Sequence, residues 1–170
     1  MRRTWLAIGI SAGLTVPALA TEAEPSSDGR AAFARLKSLA GEWEGTVMTP
    51  DGPPVRVRWE PTAGGSVMRE TMFPGTGHEM VTMYHLDGGE LVLTHYCMAG
   101  NQPRMKLATF TPDEVAFDFT GGSNLDPARD THMHTGRLFF KGEDSLETDW
   151  KEYAKGEPTV SRKFFLTRRR

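Results

Sequence analysis

The stretch that decides the fold runs over residues 78–119 and reads HEMVTMYHLDGGELVLTHYCMAGNQPRMKLATFTPDEVAFDF. Short runs that contain many apolar, aromatic and β-branched residues alternate in it with turn-forming segments at 87–89, 100–103 and 111–113. Glycine, proline, asparagine and aspartate supply the backbone conformations that tight turns need. Extended runs with turns at this spacing are typical of an antiparallel β-meander.

The same pattern extends in both directions along the chain. It predicts ten strands, at 42–49, 53–60, 65–73, 78–86, 90–98, 103–110, 113–119, 130–141, 144–153 and 158–167. Only the connection over 120–129 is long, and its composition fits a surface loop. Because an open meander would leave two unpaired edges, we predict that the sheet closes into a single up-and-down antiparallel β-barrel.

One short helix is predicted before the strands. Ser27 or Asp28 can cap it, and Gly41 can end it. Three apolar residues recur between them at helical spacing, namely Phe33, Leu36 and Leu39. The chain is therefore predicted to be all-β apart from this helix, with one barrel domain over 29–170.

The first twenty residues have the pattern of a signal peptide. Arg2 and Arg3 precede an apolar run over 5–16, and Ala18-Leu19-Ala20 supplies small residues for cleavage. The arginine pair also resembles a twin-arginine signal, so the export route stays open. We expect cleavage after Ala20, a flexible leader over 21–28, and a periplasmic or secreted protein with no membrane-spanning segment in the mature chain.

Composition excludes several classes of protein. Lysine and arginine number 20 against 22 aspartates and glutamates, which gives a net charge of -2 and argues against nucleic-acid binding. Cys97 is the single cysteine of the chain, so an intrachain disulfide or a zinc site built from several thiolates is impossible.

Alternation along the strands predicts the core. Apolar side chains on one strand face predict a core that contains Trp43, Val57, Trp59, Phe117, Phe119, Trp150 and Phe164. The alternation fails in the strands over 65–73, 78–86, 90–98 and 130–141, so their inward faces stay undetermined. Such strands line a polar cavity if the polar face is inside, or support a homodimer if an apolar face is outside.

The segment Leu39-Ala40-Gly41-Glu42-Trp43-Glu44-Gly45 resembles the opening of lipocalins and other calycin barrels. The resemblance implies that Gly41 and Trp43 close one end of the barrel. It also implies that a basic residue of the last strand, here Arg162, stacks on the indole. The segment over 95–105 resembles secreted bacterial lipocalin-like proteins without an assigned activity.

Two branches of that superfamily are similar only in part. The motif from Gly41 to Gly45 resembles nitrobindin, which holds haem, but that family's ligand histidine lies near the C-terminus and no histidine follows His134 here. The Arg162-x-Phe164 pair keeps the cation of the carboxylate anchor in fatty-acid-binding proteins and lacks its hydroxyl. No cofactor is therefore expected, although haem or a metal is not excluded.

Four residues carry other candidate chemistry. His132 and His134 share a strand face and could hold one metal ion with His95 as a third ligand, or they are ordinary satisfied histidines. Cys97 lies two residues from His95, so it is either an activated thiol or a small buried apolar side chain.

We expect the barrel to bind a small, mainly apolar or amphiphilic molecule in its interior or mouth. The candidate ligand-binding residues are Tyr84, Leu93, His95, Met105, Phe117, His132, His134 and Arg162. The alternatives are a small barrel enzyme that uses interior His, Tyr and Arg side chains, a metal- or haem-binding protein, and a structural envelope protein with a filled barrel. Arg162 is expected to point inward, either onto Trp43 or toward the acidic head of an amphiphile.

Export has a direct test. Cleavage after Ala20 makes Thr21 the first residue of the mature protein, and intact mass spectrometry of the periplasmic or secreted fraction measures this. A cytoplasmic protein that retains residues 1–20 would contradict the prediction.

Overall fold

The computed structural model describes residues 27–170, which form a closed antiparallel barrel of ten strands with one helix before them. The elements are α1 (Ser27–Lys37), β1 (Gly41–Val47), β2 (Pro54–Thr62), β3 (Val67–Met72), β4 (Met80–Asp87), β5 (Glu90–Tyr96), β6 (Gln102–Thr111), β7 (Glu114–Ser123), β8 (His132–Phe140), β9 (Ser145–Ala154) and β10 (Glu157–Arg168). Each strand pairs with the next in sequence, and β10 pairs with β1 to close the barrel. The predicted fold class is confirmed.

The predicted signal peptide and nearly all of the predicted leader lie outside the described residues. Within residues 27–170, no helix is long and apolar enough to cross a bilayer. The main difference from the predicted strands is in β7, which continues to Ser123 and takes up the start of the predicted 120–129 loop. It continues because Gly121 and Gly122 still pair with Arg104 and Pro103 of β6.

Helix α1 covers one end of the barrel. Its buried side chains Ala32, Phe33 and Leu36 join the hydrophobic core, and the helix packs against β4, β5 and β6. Arg35 lies over the Phe140 ring at 4.1 Å and donates a hydrogen bond to the Pro112 carbonyl at 3.1 Å. The end that α1 covers is called the closed end below.

Trp43 and Arg168 complete the closed end. The indole N–H of Trp43 donates to the Leu39 carbonyl at 2.8 Å, and the Arg168 guanidinium lies 4.4 Å from the indole centroid. Arg168 also donates to the carbonyls of Ser38 and Ala40, at 2.8 and 2.7 Å, just beyond the last turn of α1. One cation therefore joins the helix, β1 and β10.

The prediction that Arg162 fills this position is wrong. Trp43 pairs with Arg168 in the β1–β10 register, whereas Arg162 lies earlier in β10 and pairs with Trp150 of β9. Because β10 runs toward the closed end, Arg162 lies at the opposite end of the barrel. The sequence contains several basic residues near its C-terminus, and only the strand register distinguishes them.

The two glycines beside Trp43, Gly41 and Gly45, are required for different structural reasons. Gly41 has a φ of +133°, a conformation that side-chain-bearing residues rarely adopt. At Gly45 a Cβ atom would collide with the backbone carbonyl of Phe165 on β10. The glycines therefore allow β1 to turn out of the helix and to approach β10 closely.

Six of the seven predicted core residues are buried, namely Trp43, Val57, Trp59, Phe117, Trp150 and Phe164. Phe119 is an error, because it is only half-buried. The β6–β7 register shifts next to Met105, the partner of Phe119, and the Phe119 ring packs against His132 and His134, each at a centroid distance of 4.8 Å.

The two arginines of β10 give a matched test of this closure. Trp43→Ala should lower the free energy of unfolding by about 3–5 kcal/mol, because it empties a fully buried site. Arg168→Ala should lower it by about 1–3 kcal/mol, because hydrogen bonds from a charged group and a stacking contact are lost together. Arg162→Ala should change it by less than about 1 kcal/mol, since an exposed ion pair contributes little. Urea denaturation measures all three, and equal effects of the two arginine variants would contradict the assignment.

Candidate functional site

The barrel interior has a packed half and an open half. Near the closed end, Tyr84, Leu93, Met105 and Phe117 are fully buried in the hydrophobic core. Toward the opposite end lies a cavity of about 500 Å³, a size common for small-molecule sites. We call this end, where the strand connections surround the cavity, the open end.

The wall of the cavity is mainly apolar. Five of its side chains are methionines, whose flexible thioethers adapt to differently shaped ligands, and two are phenylalanines. These residues are Met48, Met72, Met80, Met98, Met133, Phe73 and Phe164. Met48 and Phe73 have φ values of +75° and +54°, so two wall residues lie in the left-handed region where side-chain-bearing residues are uncommon.

A row of polar residues crosses the interior where the packed half meets the cavity. Trp59 of β2 is paired with Glu70 of β3, Glu70 with Thr82 of β4, and Thr82 with His95 of β5. All four residues are buried. Because directly opposed residues on neighbouring strands point to the same face, their side chains meet inside the barrel.

Hydrogen bonds join three of these residues and the neighbouring Tyr84 into two pairs. The Tyr84 hydroxyl donates to Glu70 Oε2 at 2.7 Å, and Thr82 Oγ1 lies 2.9 Å from His95 Nδ1. The Tyr84 ring packs between Trp59 and Phe117, with centroid distances of 5.4 and 5.6 Å. Glu70, Thr82, Tyr84 and His95 are called the polar row below.

Burial shifts the protonation of the polar row toward neutral forms. Desolvation raises the pKa of Glu70 to about 7, and hydrogen bonds from Tyr84 and Thr82 to the carboxylate act in the opposite direction. Desolvation also lowers the pKa of His95 to about 4. The pKa of Tyr84 is raised well above its usual value by desolvation and by the neighbouring Glu70 charge. At neutral pH His95 is therefore uncharged.

Two buried nitrogens of the cavity-lining residues have no partner. His95 Nε2 and Trp150 Nε1 are both inaccessible to water and make no hydrogen bond. The two rings stack with centroids 5.7 Å apart and an interplanar angle of 29°. The Trp150 ring has room there because residue 136 is a glycine. A Cβ atom at that position would lie only 2.7 Å from the ring. An unsatisfied buried polar group costs about 1–3 kcal/mol, which a ligand that binds it recovers.

Arg162 lines the cavity from its rim and does not point inward as expected. Its guanidinium lies 3.4 Å from Glu152 Oε2, and its side chain is 46% exposed. The other carboxylate oxygen of Glu152 accepts a hydrogen bond from Thr159 at 2.9 Å. The rim therefore carries one positive and one negative charge. Arg162 stays in contact with both solvent and Glu152, because the two side chains lie at the same end of the barrel.

His132 and His134 contact each other directly, with His132 Nε2 3.0 Å from His134 Nδ1. His132 Nδ1 lies 3.0 Å from the Asp130 carbonyl, which only accepts, so Nδ1 donates there. In neutral His132 the Nε2 lone pair then accepts from His134. Desolvation, with a contribution from His132, lowers the pKa of His134. The two nitrogens that would face a shared metal thus bind each other.

Part of the predicted site is brought together and part is not. His95, His132, Arg162 and Cys97 line the cavity. His134 instead stacks on Tyr153 at 3.9 Å, and the remaining candidates lie in the packed half. Across residues 27–170 there is no group of three or more His, Cys, Asp or Glu side chains placed to hold a metal ion.

Sequence reasoning missed Glu70, Thr82 and Trp150 as site residues. Glu70 has an apolar neighbour two residues away on each side, Met68 and Met72, and this was the available signal. Residues at this spacing share a strand face, so a carboxylate between two inward methionines is itself inward. Its partners Thr82 and Tyr84 lie on another strand and follow only from the register.

The opposite shifts of Glu70 and His95 predict how stability depends on pH. In the native state Glu70 holds its proton up to about pH 7, whereas unfolded it loses it near 4.5. Native His95 stays neutral down to about pH 4, whereas unfolded it takes up a proton near 6.5. Between pH 4.5 and 6.5 the two effects cancel, because unfolding releases one proton from Glu70 and binds one at His95.

Substituting either residue removes this cancellation, so each single variant should show the pH dependence that the other residue causes. In Glu70→Gln, stability should fall as the pH falls below 6.5, by about 1.4 kcal/mol per pH unit. In His95→Gln, stability should fall by a similar amount as the pH rises from 4.5 toward 7. Urea denaturation between pH 5 and 6.5 measures the slopes, and the double variant supplies the baseline. Slopes of the same sign in the two single variants would contradict the burial of this pair.

Comparisons with known proteins give a distant structural match. No family model matches the chain, and no curated protein matches it. A crystal structure of a protein with unknown function from the DUF3598 family, from Nostoc punctiforme, aligns with 79% of this chain at 12% identity and a TM-score of 0.40. The chain spans about half of that protein, 48% of its length.

Proposed function

We propose that this protein binds a small, mainly apolar molecule in the cavity at the open end of the barrel. The observation that carries the proposal is the cavity of about 500 Å³ with a mainly apolar wall, whose lining residues His95 and Trp150 each have a buried nitrogen without a partner. Ligand sites commonly combine an apolar wall with a few polar groups that orient the ligand.

The rim supports entry of an apolar molecule. Met48 and Met98 line the cavity and are also among the large apolar side chains that solvent reaches, 39% and 59% exposed. Methionine side chains change shape easily because three of their bonds rotate freely. A ligand that enters past them buries apolar surface both on the rim and in the wall.

The charges favour a neutral ligand over an acidic amphiphile. Arg162, which was expected to hold the acidic head of an amphiphile, is paired with Glu152 and lies at the rim. Glu70 lies inside, and its ionised form would repel a carboxylate placed near His95. The polar group of the ligand is therefore better neutral. A structural protein with a filled barrel is disfavoured by the cavity itself.

We further propose that binding takes place outside the cytoplasm. The support is the sequence pattern over residues 1–20 alone.

Nile red, a neutral fluorescent dye, tests cavity binding. The dye should bind with an increase in fluorescence, and occupation of the cavity should slow the reaction of Cys97 with N-phenylmaleimide. Cys97 is a suitable reporter because it lines the cavity and is the single cysteine of the chain. Protein that has already reacted with the maleimide should lose at least tenfold in dye affinity, because the added ring occupies the cavity.

The matched control is Cys97→Ser. Treated with the same maleimide, this variant should keep its dye affinity. No dye binding by the unmodified protein would overturn the proposal. Dye binding that neither protects Cys97 nor responds to its modification would place the dye elsewhere and would also overturn it.

A further inference from the structure

We infer that the cavity at the open end binds one Cu(I) ion through the sulfur atoms of Met72, Met80 and Cys97. The ion is a second kind of ligand for this cavity, so the inference does not rest on the proposed function. Five of the nine methionines of the chain line the cavity, together with its single cysteine. Thioether and thiolate sulfurs are soft ligands, which select Cu(I) over harder ions.

The strand register places these three sulfur-bearing residues side by side. Met72 of β3 is directly opposite Met80 of β4. The β4–β5 register ends toward the open end with the pair Val81 and Tyr96, and one position further Met80 comes opposite Cys97. All three residues line the cavity. We call Met72, Met80 and Cys97 the sulfur row, which lies two residues closer to the open end than the polar row.

The spacing of the sulfur row suits a single ion. Zinc–thiolate bonds are about 2.3 Å long, and at a similar length three sulfurs around one ion lie roughly 4 Å apart. Neighbouring strands lie about 4.8 Å apart, and inward side chains converge because the barrel wall is curved. Each methionine has three rotatable bonds, which take up the remaining difference. The three sulfurs can therefore reach one ion without a change in the backbone.

The charge of the complex suits the apolar wall of the cavity. When Cu(I) binds Cys97 it replaces the thiol proton, which leaves to solvent, and the charges of the thiolate and the monovalent cation cancel. The two thioethers are neutral ligands. A divalent ion on the same three sulfurs would keep a net positive charge, which is costly in apolar surroundings. Within residues 27–170, no group of three or more His, Cys, Asp or Glu side chains is placed to hold such an ion instead.

The rim of the cavity gives the ion a route to the sulfur row. Met48 and Met98 line the cavity and are 39% and 59% exposed, whereas Met72 is 3% exposed. An ion that meets the exposed thioethers first can move inward by exchanging one sulfur ligand for another. Soft ligands are therefore present both at the exposed rim and at the buried sulfur row.

Competition with bicinchoninate, a chelator that is coloured when it holds Cu(I), tests the inference in anaerobic buffer with ascorbate. The protein should take one Cu(I) per chain from the chelator. Cys97→Ser, Met72→Leu and Met80→Leu should each weaken binding by about tenfold or more, since even the partners of metal ligands contribute that much. Leucine keeps the volume of methionine, so these variants should fold. The matched control is Met83→Leu, at a half-buried position of β4 that does not line the cavity, and it should keep the wild-type affinity.

Three outcomes would overturn the inference. The protein takes no Cu(I) from the chelator, or it binds Zn²⁺ as tightly as Cu(I), or the variants of Met72 and Met80 bind Cu(I) as tightly as the wild type. The last result would mean capture by the Cys97 thiol alone. Nile red decides the proposed function separately, because Cys97→Ser should keep its affinity for the dye while it loses affinity for Cu(I).

Discussion

The contact on which the rest of the structure depends is the stack of Arg168 on Trp43. The guanidinium covers the indole at 4.4 Å and donates to the two carbonyls of Ser38 and Ala40, so the cation joins β10, β1 and the chain segment after α1. Carbonyls at the C-terminal end of a helix have no hydrogen-bond donor within the helix. A cation placed there donates to them and also interacts favourably with the negative end of the helix dipole. With this end covered, the cavity lies toward the other end of the barrel.

The closed end leaves the polar row as the boundary between the packed half of the barrel and the cavity. Titratable side chains at that depth are costly when charged, and the native state avoids the cost by keeping His95 neutral and raising the pKa of Glu70 to about 7. A row of leucines would fill the same space with less penalty. The polar row therefore lowers stability, which supports the proposed binding site, because residues that serve binding commonly do so at a cost in stability.

The fold could be predicted because its signals are local. Turn residues and alternation lie within single strands, and they are enough for ten strands, the helix and most of the core. The site could not, because its contacts depend on register. Glu70 and His95 belong to one polar row only because Thr82 of β4 is opposed to both. The same limit explains Arg162 and Arg168, which are chemically alike and are distinguished only by which of them faces Trp43.

The histidines show that residue type and spacing alone do not identify a functional residue. His132 and His134 have the spacing of a metal site, yet the structure binds their nitrogens to each other and to the Asp130 carbonyl. His95 has no motif around it, yet within residues 27–170 it is the histidine with a buried nitrogen that has no partner. A histidine whose two nitrogens are both engaged is already satisfied and gains little from a ligand. Because a buried polar atom without a partner gains the most from a new one, His95 supports the proposed binding site more than the His132–His134 pair does.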